Sequence, residues 1–374
     1  MSATGPAAAG APLDPAPYVP EIPLVADQAA GGGGDGPLLE ISGLRTWFFT
    51  ADGQVKAVDG VDLTVRRGEV IGLVGESGSG KSVSMFSALR LVPQPGRVVG
   101  GSVRFDGQDV LALSKKELQA LRGGRVSMIF QQPNSSLNPC YRAGAQISEV
   151  YEIHQKVKKK EGLDRAVEML SAVGIPDAKK RAKSYPHQLS GGMAQRVMIA
   201  MALAADPELL IADEPTTALD VTIQAQILDL MLDLQRKIGM AMVLITHDLG
   251  VVAETTERVA VMYAGQIVEE APTAELFAEP KHPYTQGLIG SVPVIGRRVS
   301  ELAVIPGRVP NLIDLPPGCR FAPRCTARIE AGLERCTEEM PALVEVAPGH
   351  RVRCFLHSDA VQAEVPVDIG KKRP

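Results

Sequence analysis

The sequence has no long hydrophobic run. Its longest uninterrupted apolar stretch, residues 197–205, is far shorter than the roughly 20 residues needed to cross a bilayer. Residues 1–37 are rich in Ala, Pro and Gly and lack the basic segment and apolar core of a secretory signal. We therefore expect any membrane role to come through partner chains, and we expect residues 1–37 and 361–374 to be tails, the first of them disordered.

Excess positive charge is also missing. The 374 residues carry a formal net charge of −4, whereas nucleic-acid-binding proteins usually have a basic patch and a high pI. The basic run at residues 156–160 is typical of a solvated helix end or loop. We therefore expect no nucleic-acid partner.

Cysteine is scarce, and its distribution is uneven. Of five cysteines, four lie between positions 319 and 354: Cys319, Cys325, Cys336 and Cys354. In a chain without a signal, clustered thiols more often bind metal than form disulfides. Their spacing lacks the C-x-x-C pairs of common zinc sites, and on number alone they suit zinc or an iron–sulfur cluster equally. Metal-free thiols are the third possibility, and we expect Cys140 to be an ordinary loop or core thiol.

Short apolar runs predict an α/β fold with two groups of strands. Alternating runs at 39–41, 61–65 and 103–105, with turns at Asp52-Gly53 and Asp106-Gly107, predict an antiparallel layer. Nearly continuous runs with helical stretches between them predict buried parallel strands. These runs are residues 70–74, 126–130, 209–212 and 242–246.

Two further regions depart from this pattern. Residues 143–186 have helical spacing and no clear strand, which predicts a helical subdomain reaching the segment near 205. From about 281 Pro becomes frequent and periodicity weakens. We expect a nucleotide-binding domain at 38–280 and a small Cys-rich C-terminal region at 281–360.

Residues 75–82 match the pattern G-x-x-x-x-G-K-[ST], directly after an apolar run and before a helical segment. Glycines let backbone N–H groups converge on phosphate oxygens, while Lys and Ser reach the phosphates and Mg²⁺. The predicted ligands of ATP and Mg²⁺ are Gly75, Ser77, Gly78, Ser79, Gly80, Lys81 and Ser82.

Polar residues follow three other predicted strands. Asp213 is placed to hold Mg²⁺, and Glu214 to orient or deprotonate the attacking water. Gln131 offers an amide that can bind Mg²⁺ or position water. His247 can donate to a γ-phosphate oxygen and so sense that phosphate. Taken singly, each of these residues could have a purely structural role. Together with residues 75–82, they predict that the catalytic site lies where the predicted parallel strands end.

A second anion cradle lies at Ser190, Gly191 and Gly192, ahead of a predicted helix. Such a turn offers free backbone N–H groups and one hydroxyl to an anion. Because the chain already has a phosphate loop, we expect this cradle to serve the nucleotide of a partner. Asp220 is placed to communicate between two nucleotide sites, and it also suits a helix N-cap.

In their order along residues 38–280, these motifs resemble the ATP-binding subunits of ABC transporters. The resemblance implies an ABC-type P-loop ATPase fold and a head-to-tail dimer, in which Ser190, Gly191 and Gly192 close on the γ-phosphate held by the partner. It also implies an aromatic residue stacking on adenine. Trp47, Phe48 and Phe49 are the candidates, and counting back from Ala57 favours Phe48.

Three features resemble the dipeptide and oligopeptide importer branch. They are residues 130–139 (FQQPNSSLNP), Met193 in place of the usual Gln, and residues 282–285 (HPYT) with 318–321 (GCRF). Within the resemblance, some members carry a four-iron cluster on a similar cysteine arrangement, which favours [4Fe–4S] here, in a structural or sensing role. The expected partners are a second, paralogous ATPase subunit, two permeases and an extracytoplasmic peptide-binding protein, at the cytoplasmic face of the inner membrane.

Two alternatives remain open from the sequence. The cargo could instead be nickel, haem or another small solute, because cargo is chosen by the binding protein and permeases. A soluble, non-transport ABC ATPase is disfavoured, since such proteins usually carry two nucleotide domains or a long coiled coil, and this chain has one phosphate loop.

Overall fold

The computed structural model describes residues 36–132, 136–217, 220–291 and 305–357. Almost all of the predicted tail at residues 1–37 lies outside these ranges, as does the tail at 361–374 and part of the 130–139 loop. Within the described ranges, no helix has the length and apolarity to span a bilayer.

The predicted antiparallel layer is confirmed as a four-stranded sheet. Its strands are β1 (Leu39–Thr50), β2 (Gly53–Val65), β4 (Gly96–Phe105) and β5 (Gln108–Asp109), in the order β2-β1-β4-β5. The β1–β2 hairpin closes where Thr50 faces Gly53. Each of the three predicted runs lies inside a longer strand whose apolar face is buried.

The second sheet has eight strands in the order β11-β12-β10-β9-β3-β8-β7-β6. The strands are β3 (Val70–Val74), β6 (Val126–Ile129), β7 (Leu209–Asp213), β8 (Ala241–Ile245), β9 (Arg258–Tyr263), β10 (Gln266–Pro272), β11 (Val344–Ala347) and β12 (His350–Val352). From β9 to β6 neighbours run parallel. Every residue of β3, β7 and β8 is buried, which explains why the predicted runs are almost continuously apolar.

Helices cover this sheet and form the predicted helical region. They are α1 (Lys81–Ala88), α2 (Lys115–Leu121), α3 (Ala143–His154), α4 (Lys159–Ala172), α5 (Ala178–Arg181), α6 (Gly191–Leu203), α7 (Val221–Ile238), α8 (Leu249–Thr255), α9 (Thr273–Ala278), α10 (Pro283–Gly290) and α11 (Thr326–Glu330). Apolar side chains of α3, α4 and α6 share one core cluster with β7 and β8. The helical region is therefore packed onto the parallel strands.

The C-terminal region joins the core sheet, which the sequence pattern did not predict. β12 pairs with β10, opposing Val352 to Glu269. The fully buried Glu269 carboxylate lies 2.7 Å from Nε2 of His350, on β12. Buried carboxylates are tolerated only when hydrogen-bonded or paired, so this contact stabilises the added strands against the sheet.

Candidate functional site

The phosphate-binding loop, residues 75–82, connects β3 to α1. Gly75, Gly78 and Gly80 have φ angles of 147°, 79° and 103°, which side chains rarely tolerate. A Cβ at Gly75 would lie 2.2 Å from the Met262 carbonyl oxygen, and one at Gly80 would lie 2.4 Å from the Ala57 carbonyl oxygen. Backbone conformation therefore requires all three glycines, and close neighbouring backbone further excludes a side chain at Gly75 and Gly80.

Lys81 folds back into this loop. Its Nζ donates to the carbonyl oxygens of Gly75 at 2.8 Å and Glu76 at 3.0 Å. Burial lowers the pKa of Lys81, while the carboxylates of Glu214 and Asp213 oppose that shift. The ammonium is thus held inside the loop, with negative groups nearby that favour its charged form.

Ser82 and Asp213 meet at the carboxyl edge of the parallel strands. The Ser82 hydroxyl donates to Asp213 Oδ1 at 2.8 Å. Burial raises the pKa of Asp213, and the hydrogen bond from Ser82 offsets only part of this effect. One hydroxyl and one carboxylate converging at a phosphate loop are oxygen ligands of the kind that Mg²⁺ prefers, so the predicted pair fits that ion.

Glu214 lies at the centre of a polar cluster. Its Oε2 accepts hydrogen bonds from Gln131 Nε2 at 2.7 Å and Thr217 Oγ1 at 2.9 Å, and its Oε1 lies 3.4 Å from His247 Nδ1. Gln131 and His247, predicted separately from two strand ends, are therefore brought to one carboxylate. Thr217 was missed, although a hydroxyl three residues after an acid was a usable local signal.

The environment of Glu214 favours its ionised form. Burial alone would raise its pKa, but the Thr217 hydrogen bond and the nearby His247 outweigh burial, so the pKa is lowered. Its backbone has φ of 47°, an uncommon conformation for a non-glycine residue. Such outliers concentrate at functional sites, and this one directs an ionised carboxylate beside the Ser82–Asp213 pair.

Two exposed helix starts form the second cradle. Ser190 caps α6, its hydroxyl accepting from Met193 N at 3.3 Å, and Asp220 caps α7, accepting from Ile223 N at 3.0 Å. A Cβ at Gly192 would lie 3.3 Å from Ile223 Cγ2, so the two helix starts adjoin. Ser190, Gly191 and Asp220 are exposed, and their roles toward a partner stay predictions.

The three candidate aromatic residues differ in their surroundings. The Phe48 ring abuts Gly96, where an added Cβ would lie 2.6 Å from Phe48 Cε1. Lys56 Nζ lies 5.4 Å from the centre of the Trp47 ring, and Arg97 lies over Phe49 at 4.1 Å. None of these contacts selects the adenine partner, so Phe48 stays a prediction.

The four clustered cysteines lie in one C-terminal region, without disulfides. Burial, together with charge on the other three thiols, raises the pKa of Cys354 to about 12. The thiols are therefore within electrostatic reach of one another. Nevertheless, no three Cys, His, Asp or Glu side chains of the described residues are grouped as a metal site, so the side-chain geometry does not fit a bound cluster. The predicted iron–sulfur cluster gains no support here.

Family models match both parts of the chain. One described as ABC transporter matches residues 58–217, and one described as oligopeptide/dipeptide transporter, C-terminal region, matches residues 268–331. The second match includes β10, which is the strand that joins the C-terminal region to the core sheet.

Curated relatives match most of the chain. The oligopeptide transport ATP-binding protein AppD of Bacillus subtilis (strain 168) is 51% identical over 323 residues, covering 86% of this chain and 97% of AppD. The dipeptide transport ATP-binding protein DppD of Escherichia coli (strain K12) is 50% identical over 322 residues, covering 86% and 97%.

Among solved structures, the ATP-binding cassette MJ0796, in a dimeric post-hydrolysis state bound to ADP and Pi, matches with a TM-score of 0.57. It is 29% identical, over 63% of this chain and 98% of that one. The predicted cassette fold is thereby confirmed. With its phosphate loop, acidic strand end and both family matches, this chain belongs to the ATP-binding proteins of ABC transporters that carry the oligopeptide/dipeptide transporter C-terminal region.

Proposed function

We propose that this chain is the ATP-hydrolysing subunit of an importer that takes up dipeptides or oligopeptides through partner permeases. The observation that carries the ATPase part is the Glu214 carboxylate, held by Gln131 and Thr217 beside the Ser82–Asp213 pair. The cargo part is supported by AppD and DppD, whose names state oligopeptide and dipeptide transport.

Each polar residue of the site has a distinct task in this proposal. Glu214, kept ionised by its neighbours, accepts the proton of the attacking water. His247 and Gln131 orient that water and the γ-phosphate. Lys81 exchanges its carbonyl partners for phosphate oxygens as ATP enters. Ser82, Asp213 and Gln131 would hold Mg²⁺, which would supply charge neutralisation at the phosphates.

The exposed cradle implies a composite site. Ser190, Gly191, Gly192 and Asp220 face the nucleotide of a second ATPase subunit, a paralogue of this chain, whose own cradle closes on ATP held at residues 75–82. ATP favours the closed pair because both subunits contact it only there. Two permeases convert closure into transport, and an extracytoplasmic binding protein delivers the peptide. In this arrangement the chain is peripheral, at the cytoplasmic face of the inner membrane.

Glu214→Gln in the assembled transporter tests the assignment of the base. The amide keeps the shape of the side chain but cannot accept the proton, so turnover at this site should fall by roughly 10²–10⁴-fold, the usual effect of losing a general base. ATP binding should be retained. Glu254→Gln, on the exposed surface of α8, is the matched control. Undiminished hydrolysis at the site built on residues 75–82 would remove Glu214 from the role of base.

The [4Fe–4S] cluster stays a prediction from the number of clustered cysteines alone, because the described side chains are not grouped as a metal site. Anaerobically purified protein that holds the cluster should be brown and contain iron and sulfide in equal amounts. Replacing Cys336 by Ser should lower both together. Colourless protein with zinc, or with no metal, would exclude the cluster.

A further inference from the structure

The phosphate loop is contacted by the C-terminal region at Glu76, its second residue. Arg324, the last residue of a 3₁₀ turn at Ala322–Arg324 in the Cys-rich region, donates to the Glu76 carboxylate through Nη1 at 2.8 Å and Nη2 at 3.1 Å. This two-pronged geometry is the strong form of an arginine–carboxylate pair. The Arg324 side chain is only 5% exposed and that of Glu76 29%, so solvent screens the pair less than a surface ion pair.

A second contact reaches the backbone of the same residue. Glu76 N donates to the Tyr284 hydroxyl at 2.8 Å. Tyr284, on α10, is fully buried and packs against Tyr263 and Phe321 with ring centres 4.6 and 5.5 Å away. A hydroxyl fixed by such packing has little freedom, so it holds the Glu76 amide in one orientation.

The carbonyl, the amide and the carboxylate of Glu76 thus each have a hydrogen-bond partner. Its carbonyl accepts from Lys81 Nζ, its amide donates to Tyr284, and its carboxylate is neutralised by Arg324. The neutralisation matters because an uncompensated carboxylate in this loop would repel the phosphates that the loop binds. Both C-terminal contacts come from residues beyond 280, outside the 58–217 match to the ABC transporter family model.

We propose that Arg324 and Tyr284 are positioning residues for ATP: the C-terminal region holds the phosphate loop through Glu76 and cancels its charge. The inference rests on the ATPase activity proposed above, and it predicts that the C-terminal region controls nucleotide affinity more than the rate of the chemical step. Neither residue touches the reacting atoms in this scheme.

The test measures ATP binding to the full-length chain, and KM and kcat of the assembled transporter. Arg324→Gln should weaken ATP binding and raise KM about tenfold, the size of one hydrogen bond to a charged group, with kcat changed less than about twofold. Tyr284→Phe, which keeps the buried ring, should weaken binding by roughly threefold. Arg308→Gln, at an exposed arginine of the same region, is the control and should bind ATP as the parent does.

The double variant Glu76→Gln/Arg324→Gln tests whether Arg324 acts by neutralising Glu76 or only by stabilising its own region. In Glu76→Gln the repulsive charge is gone, so adding Arg324→Gln should cost little further affinity, and the double variant should bind ATP like Glu76→Gln alone. A tenfold loss that persists in the double variant would show that Arg324 acts by holding its own region together, which overturns the proposal. Wild-type affinity in both Arg324→Gln and Tyr284→Phe would overturn it as well.

These outcomes are distinct from a failure of the proposed function. ATP binding to the isolated chain does not depend on the cargo or on permeases. If peptide import fails while Arg324→Gln still weakens ATP binding and Glu76→Gln suppresses that effect, the positioning role stands and the cargo assignment falls. If Arg324→Gln does not fold, Tyr284→Phe with an unchanged thermal midpoint decides the question.

Discussion

The two anion cradles of this chain are built from similar parts but have opposite surroundings. In the phosphate loop, Ser79 is fully buried and Lys81 is 6% exposed, and backbone of neighbouring strands lies close to Gly75 and Gly80. In the second cradle, Ser190 and Gly191 are exposed, and the Ser190 hydroxyl accepts a local cap bond from Met193 N. The chain thus covers much of the phosphate loop itself and leaves the second cradle open, as we predict for a cradle that serves the nucleotide of a partner.

Among substitutions in the two cradles, we expect Gly80→Ala in the phosphate loop to have the largest effect. Gly80→Ala combines a φ of 103° with a Cβ 2.4 Å from the Ala57 carbonyl oxygen, so the loop must move and ATP binding should be lost. Backbone strain alone accounts for about 1–3 kcal/mol. Equilibrium ATP titration of the purified chain measures the effect.

Gly107→Ala provides the control for strain without a clash. Gly107 has φ of 77° and open space where the Cβ would lie, so this variant should lose some stability and bind ATP normally. Equal losses of ATP binding in both variants would mean that left-handed backbone strain, and not the enclosure of the loop, is responsible.

A substitution in the second cradle should change ATPase activity only in the assembled dimer. Ser190→Ala removes one hydroxyl from the partner's nucleotide, so ATPase activity of the complex should fall roughly tenfold, as expected for one hydrogen bond to a charged group. ATP binding by the isolated chain should not change.

Ser114→Ala is the matched control for Ser190→Ala, because Ser114 caps α2 with the same 3.3 Å bond to a backbone amide. Both variants should lose about 1 kcal/mol of stability as N-caps, measured by denaturant unfolding. If Ser114→Ala lowered the activity of the complex equally, the cap and not the cradle would explain the loss.

A smaller effect is expected at Thr217. Its hydrogen bond helps lower the pKa of Glu214 below the ordinary value of 4.5, so the carboxylate is ionised at neutral pH and loses its charge only as pH falls through that lowered pKa. Thr217→Val should move the acidic limb of the kcat profile to higher pH, while kcat at neutral pH, where the carboxylate stays ionised, should change little.

Thr50→Val, which loses a hydroxyl bond of the same 2.9 Å length at an exposed hairpin turn, is the control for Thr217→Val and should leave the pH profile unchanged. An unmoved acidic limb in Thr217→Val would show that the hydroxyl does not tune Glu214.

Local patterns made much of the enclosed site predictable. Residues 75–82 carry their own glycines, and the acids after β7 follow a continuous apolar run, so spacing along the chain was sufficient. The antiparallel layer and four parallel strands were found for the same reason. β9 to β12 were missed; of these, β11 and β12 have only four and three residues, too few to show apolar periodicity.

Contacts between distant segments were not predictable. Arg324 is 248 residues from Glu76 and Tyr284 is 208, and nothing near either residue marks a partner at the phosphate loop. The separate predictions of Gln131 and His247 likewise contained no sign that both would meet Glu214. The grouping of the cysteines in one region was readable from the sequence, but the arrangement of their thiols was not.

The sequence by itself determined that the chain has a phosphate loop, a catalytic strand edge and a second, open cradle, because each is a short run of residues whose chemistry depends on local spacing. Only the tertiary structure decided that Gln131 and His247 share one carboxylate and that the C-terminal region reaches Glu76. Those contacts join residues 33 to 248 positions apart, and no local spacing encodes how such distant segments pack together.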